Sequence, residues 1–295
     1  MPALKKRKTK GGLLRRVRKQ RLKSITVLPS LITILNGVAG FAAIAFAAKD
    51  DFAMAGYMIL LAMIADVLDG RLARISKSTS SFGGQLDSLC DIISFGVAPA
   101  FLMLKVLEYK LGFAELSGPF ENLLQRFIWL VAAAYVSCAA IRLARFNVEN
   151  EEDESAHMSF VGLPSPAAAG VIVSLIIFRQ ETLPELSAKS SQLYLICDNA
   201  LTYTLPFVTL AIAILMVGRI RYPHIINQYI KGKKPFAYLI ICMFVIWLVI
   251  WFRQIALVAG FCVFAGSGFV KWFYYRVIRR KISLAPQPEP ATHNI

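Results

Sequence analysis

The chain has 295 residues, 57% of them hydrophobic and 17% charged, and its mean hydropathy is positive. That composition excludes a disordered chain and an ordinary soluble domain and points to a protein that lives in a bilayer. The formal net charge of +15 is unevenly placed: 11 of the 33 Lys and Arg lie between Lys5 and Lys23. There they precede the first long apolar run and suit anionic headgroups, so no nucleic-acid partner is expected.

In chain order, residues 1–26 form this basic juxtamembrane segment. Apolar runs follow at Leu31–Ala48, Phe52–Val67, Ile92–Val106, Phe127–Ile141, Ala167–Phe178, Leu205–Val217, Phe236–Phe252 and Ile255–Val270. Extended into their weakly polar flanks, they predict an all-α polytopic membrane domain of about eight spanning helices over residues 27–281. The Pro-rich residues 282–295 are expected to be disordered. With eight crossings, 26 Lys and Arg fall on the side of the amino terminus and 7 on the other. The positive-inside rule therefore predicts cytoplasmic termini and a cytoplasmic location for the stretch Asp66–Asp91. Five scattered cysteines without a CxxC pair, and histidines only at 157, 224 and 293, indicate neither a disulfide framework nor a zinc site. Any metal chemistry falls to carboxylates.

From Asp66 the chain reads DVLDGRLARISKSTSSFGGQLDSLCD, ending at Asp91. On a helix Asp66, Asp69, Gly70, Ala73 and Arg74 stand at i, i+3, i+4, i+7 and i+8, one continuous face. Gly83, Asp87 and Asp91 repeat the device at i, i+4 and i+8. Two helices joined by the polar turn Ser76–Ser81 would thus present four carboxylates to one space. Carboxylates crowded at a membrane boundary repel one another and lose solvation, and a hard divalent cation relieves both penalties. Oxygen-only ligation favours Mg²⁺ or Mn²⁺ shared with substrate phosphates. Gly70 and Ala73 leave room for a ligand to approach the backbone, and Arg74 offers a planar donor for a phosphate. Any single Asp reads equally well as a cap or a surface charge; the joint spacing is what speaks for a site.

The pattern D-x2-D-G-x2-A-R-x8-G-x3-D-x3-D resembles, at every defined position, the signature of the CDP-alcohol phosphatidyltransferase family. The resemblance implies a helical bundle in the membrane, a homodimer, and transfer of a phosphatidyl or related group from a CDP-linked donor to an alcohol, with release of CMP. Carried over by position, it implies that Asp66, Asp69, Asp87 and Asp91 bind metal and that Asp91 doubles as general base. Asp69, Gly70, Ala73 and Arg74 would face the CDP portion. Thr33 and Asn36 in the first helix either line the nucleotide pocket or bond to neighbouring helices.

Outside the signature, PSLITILNGVAG (Pro29–Gly40), FGGQLDSLCDIISFGVAPA (Phe82–Ala100), IRLARFN (Ile141–Asn147) and FVGLPSPAAAG (Phe160–Gly170) are similar to bacterial members that use L-serine as acceptor. This implies CDP-diacylglycerol as donor, L-serine as acceptor and the bacterial cytoplasmic membrane as location. A serine carboxylate needs a cationic partner. Arg142 and Arg145 at the end of the fourth helix either supply it or act as anchoring charges, and Asn147 would add a polar contact. The alternative is the same chemistry with glycerol phosphate, inositol phosphate or choline as acceptor, or with an archaeal ether-lipid donor. A phosphorylated acceptor would need more basic residues than these helix ends offer. From a different class, a transporter would place its carboxylates near the bilayer midplane and show internal repeats. Here the aspartates fall at helix ends and the halves show no repeat.

Overall fold

The structure, a computed structural model, describes residues 30–76, 81–112, 119–152, 160–187, 190–218, 221–222 and 253–283. It is all-helical apart from one two-residue antiparallel pair. Helix α1 (Ser30–Ala48) turns tightly through Lys49–Asp51 into α2 (Phe52–Ser76). Asp50 takes the left-handed conformation in that turn (φ 61°), and the Asp51 carboxylate caps α2 by accepting from the Met54 amide at 3.1 Å. Helix α3 (Ser81–Asp91) runs through a π turn at Ile92–Val97 into α4 (Ala98–Leu111). Next come α5 (Pro119–Glu152), strand β1 (Phe160–Val161) and α6 (Ser165–Ile177), which widens into a second π turn at Phe178–Thr182 before α7 (Leu183–Ser187). Helix α8 (Ser191–Val217), strand β2 (Arg221–Tyr222) and α9 (Arg253–Ser283) complete the described chain.

Six helical segments among the described residues are long and apolar enough to cross a bilayer: Ser30–Ala48, Phe52–Leu72, Phe82–Leu111, Asn122–Val148, Ser165–Glu185 and Ser191–Val217. They correspond to the first six expected runs. The expected run Phe236–Phe252 lies outside the described residues, and the last run falls within α9, whose apolar part is Arg253–Gly268. The third span is much longer than its apolar core predicted, because the polar half of the aspartate motif continues the same helix. Helix α9 extends to Ser283, two residues past the expected domain edge; the expected basic segment 1–26 and the remainder of the tail lie outside the described residues.

In lipid, helices gain little from apolar burial against one another, and close packing of small residues decides which faces meet. Ala39, Ala43 and Ala47 form such a stripe on α1, and on α2 Ala55 and Ala62 flank the buried Ile59. Helix α6 is the central element, packed against α2, α4, α8 and α9, and its residues Ala168–Ser174 are all buried. Large apolar side chains such as Phe41, Ile64, Leu130 and Phe207 are exposed on the outer faces, as a lipid-facing surface requires.

Charge sorts to the two ends of the bundle. At one end, away from the aspartate motif, Asp198 of α8 is 2% exposed and pairs with Lys110 of α4 at 2.5 Å and with Arg179 of the second π turn at 2.6 Å. On the other side of that turn Glu181 accepts from Tyr57 of α2 at 2.8 Å, from Gln254 of α9 at 2.6 Å and from Arg253 at 3.3 Å. The π turn thus aims two residues of opposite sign at opposite neighbours, fastening five elements at one level. Removing one member of a buried pair strands its partners, at a typical cost of about 3–5 kcal/mol. Replacing Asp198→Ala should therefore lower thermal stability by roughly 2–4 kcal/mol, discounted because Lys110 can reach water. Thermal unfolding in detergent checks this, with activity per folded molecule expected to stay near wild type.

Candidate active site

The site lies at the opposite end, where α2 and α3 face each other. Among the described residues α2 runs to Ser76 and α3 begins at Ser81. One carboxylate oxygen each from Asp66, Asp69 and Asp87 lies within 4.8 Å of the others. Asp66 and Asp87 are half-buried and Asp69 is buried. Asp69 Oδ2 and Asp87 Oδ1 are shielded from solvent and have no hydrogen-bond partner among the described residues. An added Cβ at Gly70 would meet nothing within 4 Å, so the α2 backbone beside Asp69 borders open space.

Asp91 is not in the tight trio. It is 8% exposed and accepts a hydrogen bond from Asn36 Nδ2 at 2.9 Å, within electrostatic reach of Asp66 and Asp87. Thr33, one helical turn earlier on α1, hydrogen-bonds the Asp69 carboxylate. The two polar residues of α1 therefore hold two of the four acids from behind. Their helix can come so close because of glycine. A Cβ on Gly40 would sit 2.7 Å from the Ser94 Cα, and one on Gly37 would sit 2.9 Å from Cys90 Sγ.

The residues expected on α5 separate in the structure. Arg142 turns inward: it is in electrostatic reach of Asp91 and Asp66, and its Nη1 donates to Ser165 Oγ, at the first turn of α6, at 2.5 Å. Its buried Nε has no hydrogen-bond partner among the described residues. Arg145 turns away and donates to the Val217 carbonyl at 3.2 Å, neutralising the carboxyl end of α8. Asn147 faces α3, where its Nδ2 lies 2.9 Å from Ser88 Oγ. Ala73 and Arg74 lie on α2, but their side chains are outside the described part of the structure. Sequence reasoning missed Ser165, buried between two prolines, and Ser88, Ser94 and Tyr135. Small hydroxyls and one tyrosine in apolar runs give no periodic signal.

This constellation has relatives. Residues 26–204 match the family model described as CDP-alcohol phosphatidyltransferase. A Helicobacter pylori (strain ATCC 700392 / 26695) protein named CDP-diacylglycerol--serine O-phosphatidyltransferase is 31% identical over 252 residues, 85% of this chain and 93% of its own. The chain belongs to the CDP-alcohol phosphatidyltransferase family. A Mycobacterium tuberculosis (strain ATCC 25618 / H37Rv) protein of the same name is 34% identical over 161 residues, 54% of this chain and 51% of its own. An archaetidylserine synthase of Methanothermobacter thermautotrophicus is 31% identical over 208 residues, 70% of this chain and 73% of its own.

For a CDP-alcohol phosphatidyltransferase the donor set fits a divalent cation. Three carboxylates converge, two of their buried oxygens are without partners, and among the described residues the cation in reach of Asp66 and Asp91 is Arg142. Oxygen donors of this kind suit a hard ion. If the trio holds one, Mn²⁺ should raise the unfolding midpoint of the purified protein. A metal concentration of one hundred times the Kd corresponds to about 2.7 kcal/mol. In Asp69→Asn most of that gain should vanish, and an unchanged Mn²⁺ response in this variant would count against the trio as ligands.

Proposed function

We propose that the protein transfers the phosphatidyl group of CDP-diacylglycerol to the hydroxyl of L-serine, giving phosphatidylserine and CMP. The observation that carries this reading is the convergence of Asp66, Asp69 and Asp87 with Arg142 facing the same space. Acids alone would hold a cation; an arginine beside them adds a partner for an anionic acceptor. The names of the relatives, two-thirds or more of whose length is matched in the Helicobacter and Methanothermobacter proteins, support serine as that acceptor.

In this reading Asp66, Asp69 and Asp87 would hold Mg²⁺ or Mn²⁺, and Asp91 stands beside them as the base. A divalent ion there supplies charge neutralisation to the pyrophosphate and to departing CMP, the main demand of phosphoryl transfer. Thr33 keeps the Asp69 carboxylate oriented. Open backbone at Gly70, with Ala73 and Arg74 on the next turn, receives the CDP portion. Arg142 binds the serine carboxylate through its remaining donors, and Ser165 fixes the guanidinium. Asp91 takes the proton from the serine hydroxyl as its oxygen bonds to the lipid-side phosphorus and the bond from that phosphorus to the CMP oxygen breaks. Arg145 and Asn147 are bonded to α8 and α3, so Arg142 is the preferred acceptor contact of the three.

The distribution of Lys and Arg supports a site open to the cytoplasm, with both termini on that side of a bacterial inner membrane. The family resemblance supports a homodimer. A second reading concerns the donor: the relative named archaetidylserine synthase favours testing an ether-lipid tail alongside the diacyl one.

The experiment is CMP release by purified protein with CDP-diacylglycerol and Mn²⁺ or Mg²⁺. Turnover should depend on L-serine, with sn-glycerol 3-phosphate, inositol phosphate and choline failing to replace it. CDP-archaeol in the same assay settles the tail. Arg142→Ala should raise the KM for serine by roughly 10- to 100-fold, the value of a hydrogen bond to a charged group, with a much smaller effect on the donor KM. Turnover with glycerol phosphate and none with serine would overturn the acceptor assignment.

A further inference from the structure

We infer that Tyr135 is a positioning residue, holding the π turn that follows Asp91 so that the Asp91 carboxylate stays aimed at the site. The inference rests on the reading of Asp91 as the general base.

The helix that carries Asp87 and Asp91 does not continue as a regular α-helix. Immediately after Asp91 it widens into the π turn Ile92–Val97, and only then resumes as α4. Such turns occur mostly singly and often at functional sites. They give up part of the regular hydrogen-bond ladder, so they persist where bonds from outside compensate. Here the turn is held from two sides. On the α1 side the Ser94 hydroxyl donates to the Asn36 carbonyl at 2.9 Å, and the Asn36 side chain donates to Asp91 at 2.9 Å. On the α5 side the Tyr135 hydroxyl donates to the Phe95 carbonyl at 3.0 Å.

Tyr135 is fully buried and sits among the apolar core residues of α5. A buried phenol needs a partner, and here it is a backbone carbonyl inside the widened turn. The next turn of α5 presses on the same place: a Cβ on Gly96 would lie 3.4 Å from Ala139 Cβ and 3.0 Å from Ile92 Cδ1. The π turn is therefore clamped between α1 and α5, and Asp91 is the residue at its entrance. Asn36 fixes the carboxylate itself; Tyr135 fixes the backbone that carries it. Tyr135 also shares a face of α5 with Arg142, two turns further on, so one helix sets both the turn behind Asp91 and the arginine before it.

Tyr135→Phe keeps the ring and removes only the hydroxyl. It should lower kcat by roughly five- to tenfold, the value of one lost hydrogen bond expressed in the transition state, while both KM values move by less than about twofold. Its Mn²⁺-induced rise in unfolding midpoint should match wild type, because Asp66, Asp69 and Asp87 are untouched. Ile128→Ala, a core deletion two turns earlier on α5, should lower stability and leave kcat per folded molecule unchanged. A wild-type kcat in Tyr135→Phe overturns the inference. So does an equal kcat loss in Ile128→Ala, which would make the effect one of stability alone. Asp91→Asn separates the two levels. If it retains wild-type turnover, the base reading falls and the inference with it. If it is inactive while Tyr135→Phe is wild type, only the positioning role falls.

Discussion

Unit charges less than 5 Å apart repel by about 3 kcal/mol or more at an effective dielectric of about 20, and the trio of Asp66, Asp69 and Asp87 meets that condition at the end of a lipid-facing bundle. Nearly every polar feature around them answers to this repulsion. Thr33 bonds Asp69, Asn36 bonds Asp91, and Arg142 brings a positive charge near Asp66 and Asp91. Two carboxylate oxygens are buried without a hydrogen-bond partner among the described residues all the same, and buried acceptors of that kind ordinarily have one.

Holding like charges together demands rigidity from elements that themselves avoid the site. The bundle supplies it at two levels. Glycines at 37 and 40 let α1 press its polar residues against α3 and the first π turn, so the acids are braced through contacts a bulkier residue would block. At the far end the second π turn divides Arg179 and Glu181 between Asp198 on one side and Tyr57, Arg253 and Gln254 on the other. Both π turns interrupt spans at the level where polar groups must meet, and both use the extra width to redirect side chains that a regular helix would leave on a neighbouring face. At the end that carries the aspartate trio the backbone at Gly70 borders open space; the other end carries the ion pairs.

Much of this was legible beforehand. The apolar runs fixed the first six helices, and the i, i+3 spacing placed Asp66 and Asp69 on one face of α2, because helical periodicity is a local property of the chain; Asp87 meets them from a second helix, α3. What could not be read was which neighbour each polar side chain would choose. Arg142 and Arg145 are three residues apart on one helix, yet one faces the acids and the other the end of α8. That division depends on where α6 begins and α8 ends, which no local pattern encodes. The same holds for the π turns. Ile92–Val97 reads as an ordinary apolar helix, and no local pattern announces that Ser94 bonds to the Asn36 carbonyl of α1 and Tyr135 to the Phe95 carbonyl. Asp91, expected both to bind metal and to act as the base, stands outside the close trio and accepts a hydrogen bond from Asn36.

The proposed mechanism requires Asp66, Asp69 and Asp87 to hold a divalent cation together. The most direct test is the anomalous scattering of Mn²⁺ in crystals of the active protein, collected with and without a CDP-linked donor. A peak is expected within coordination distance, about 2.0–2.2 Å, of oxygens from all three carboxylates, lost in Asp69→Asn. Crystals of an Mn²⁺-dependent, active protein with the peak elsewhere, and none between these aspartates, would contradict it.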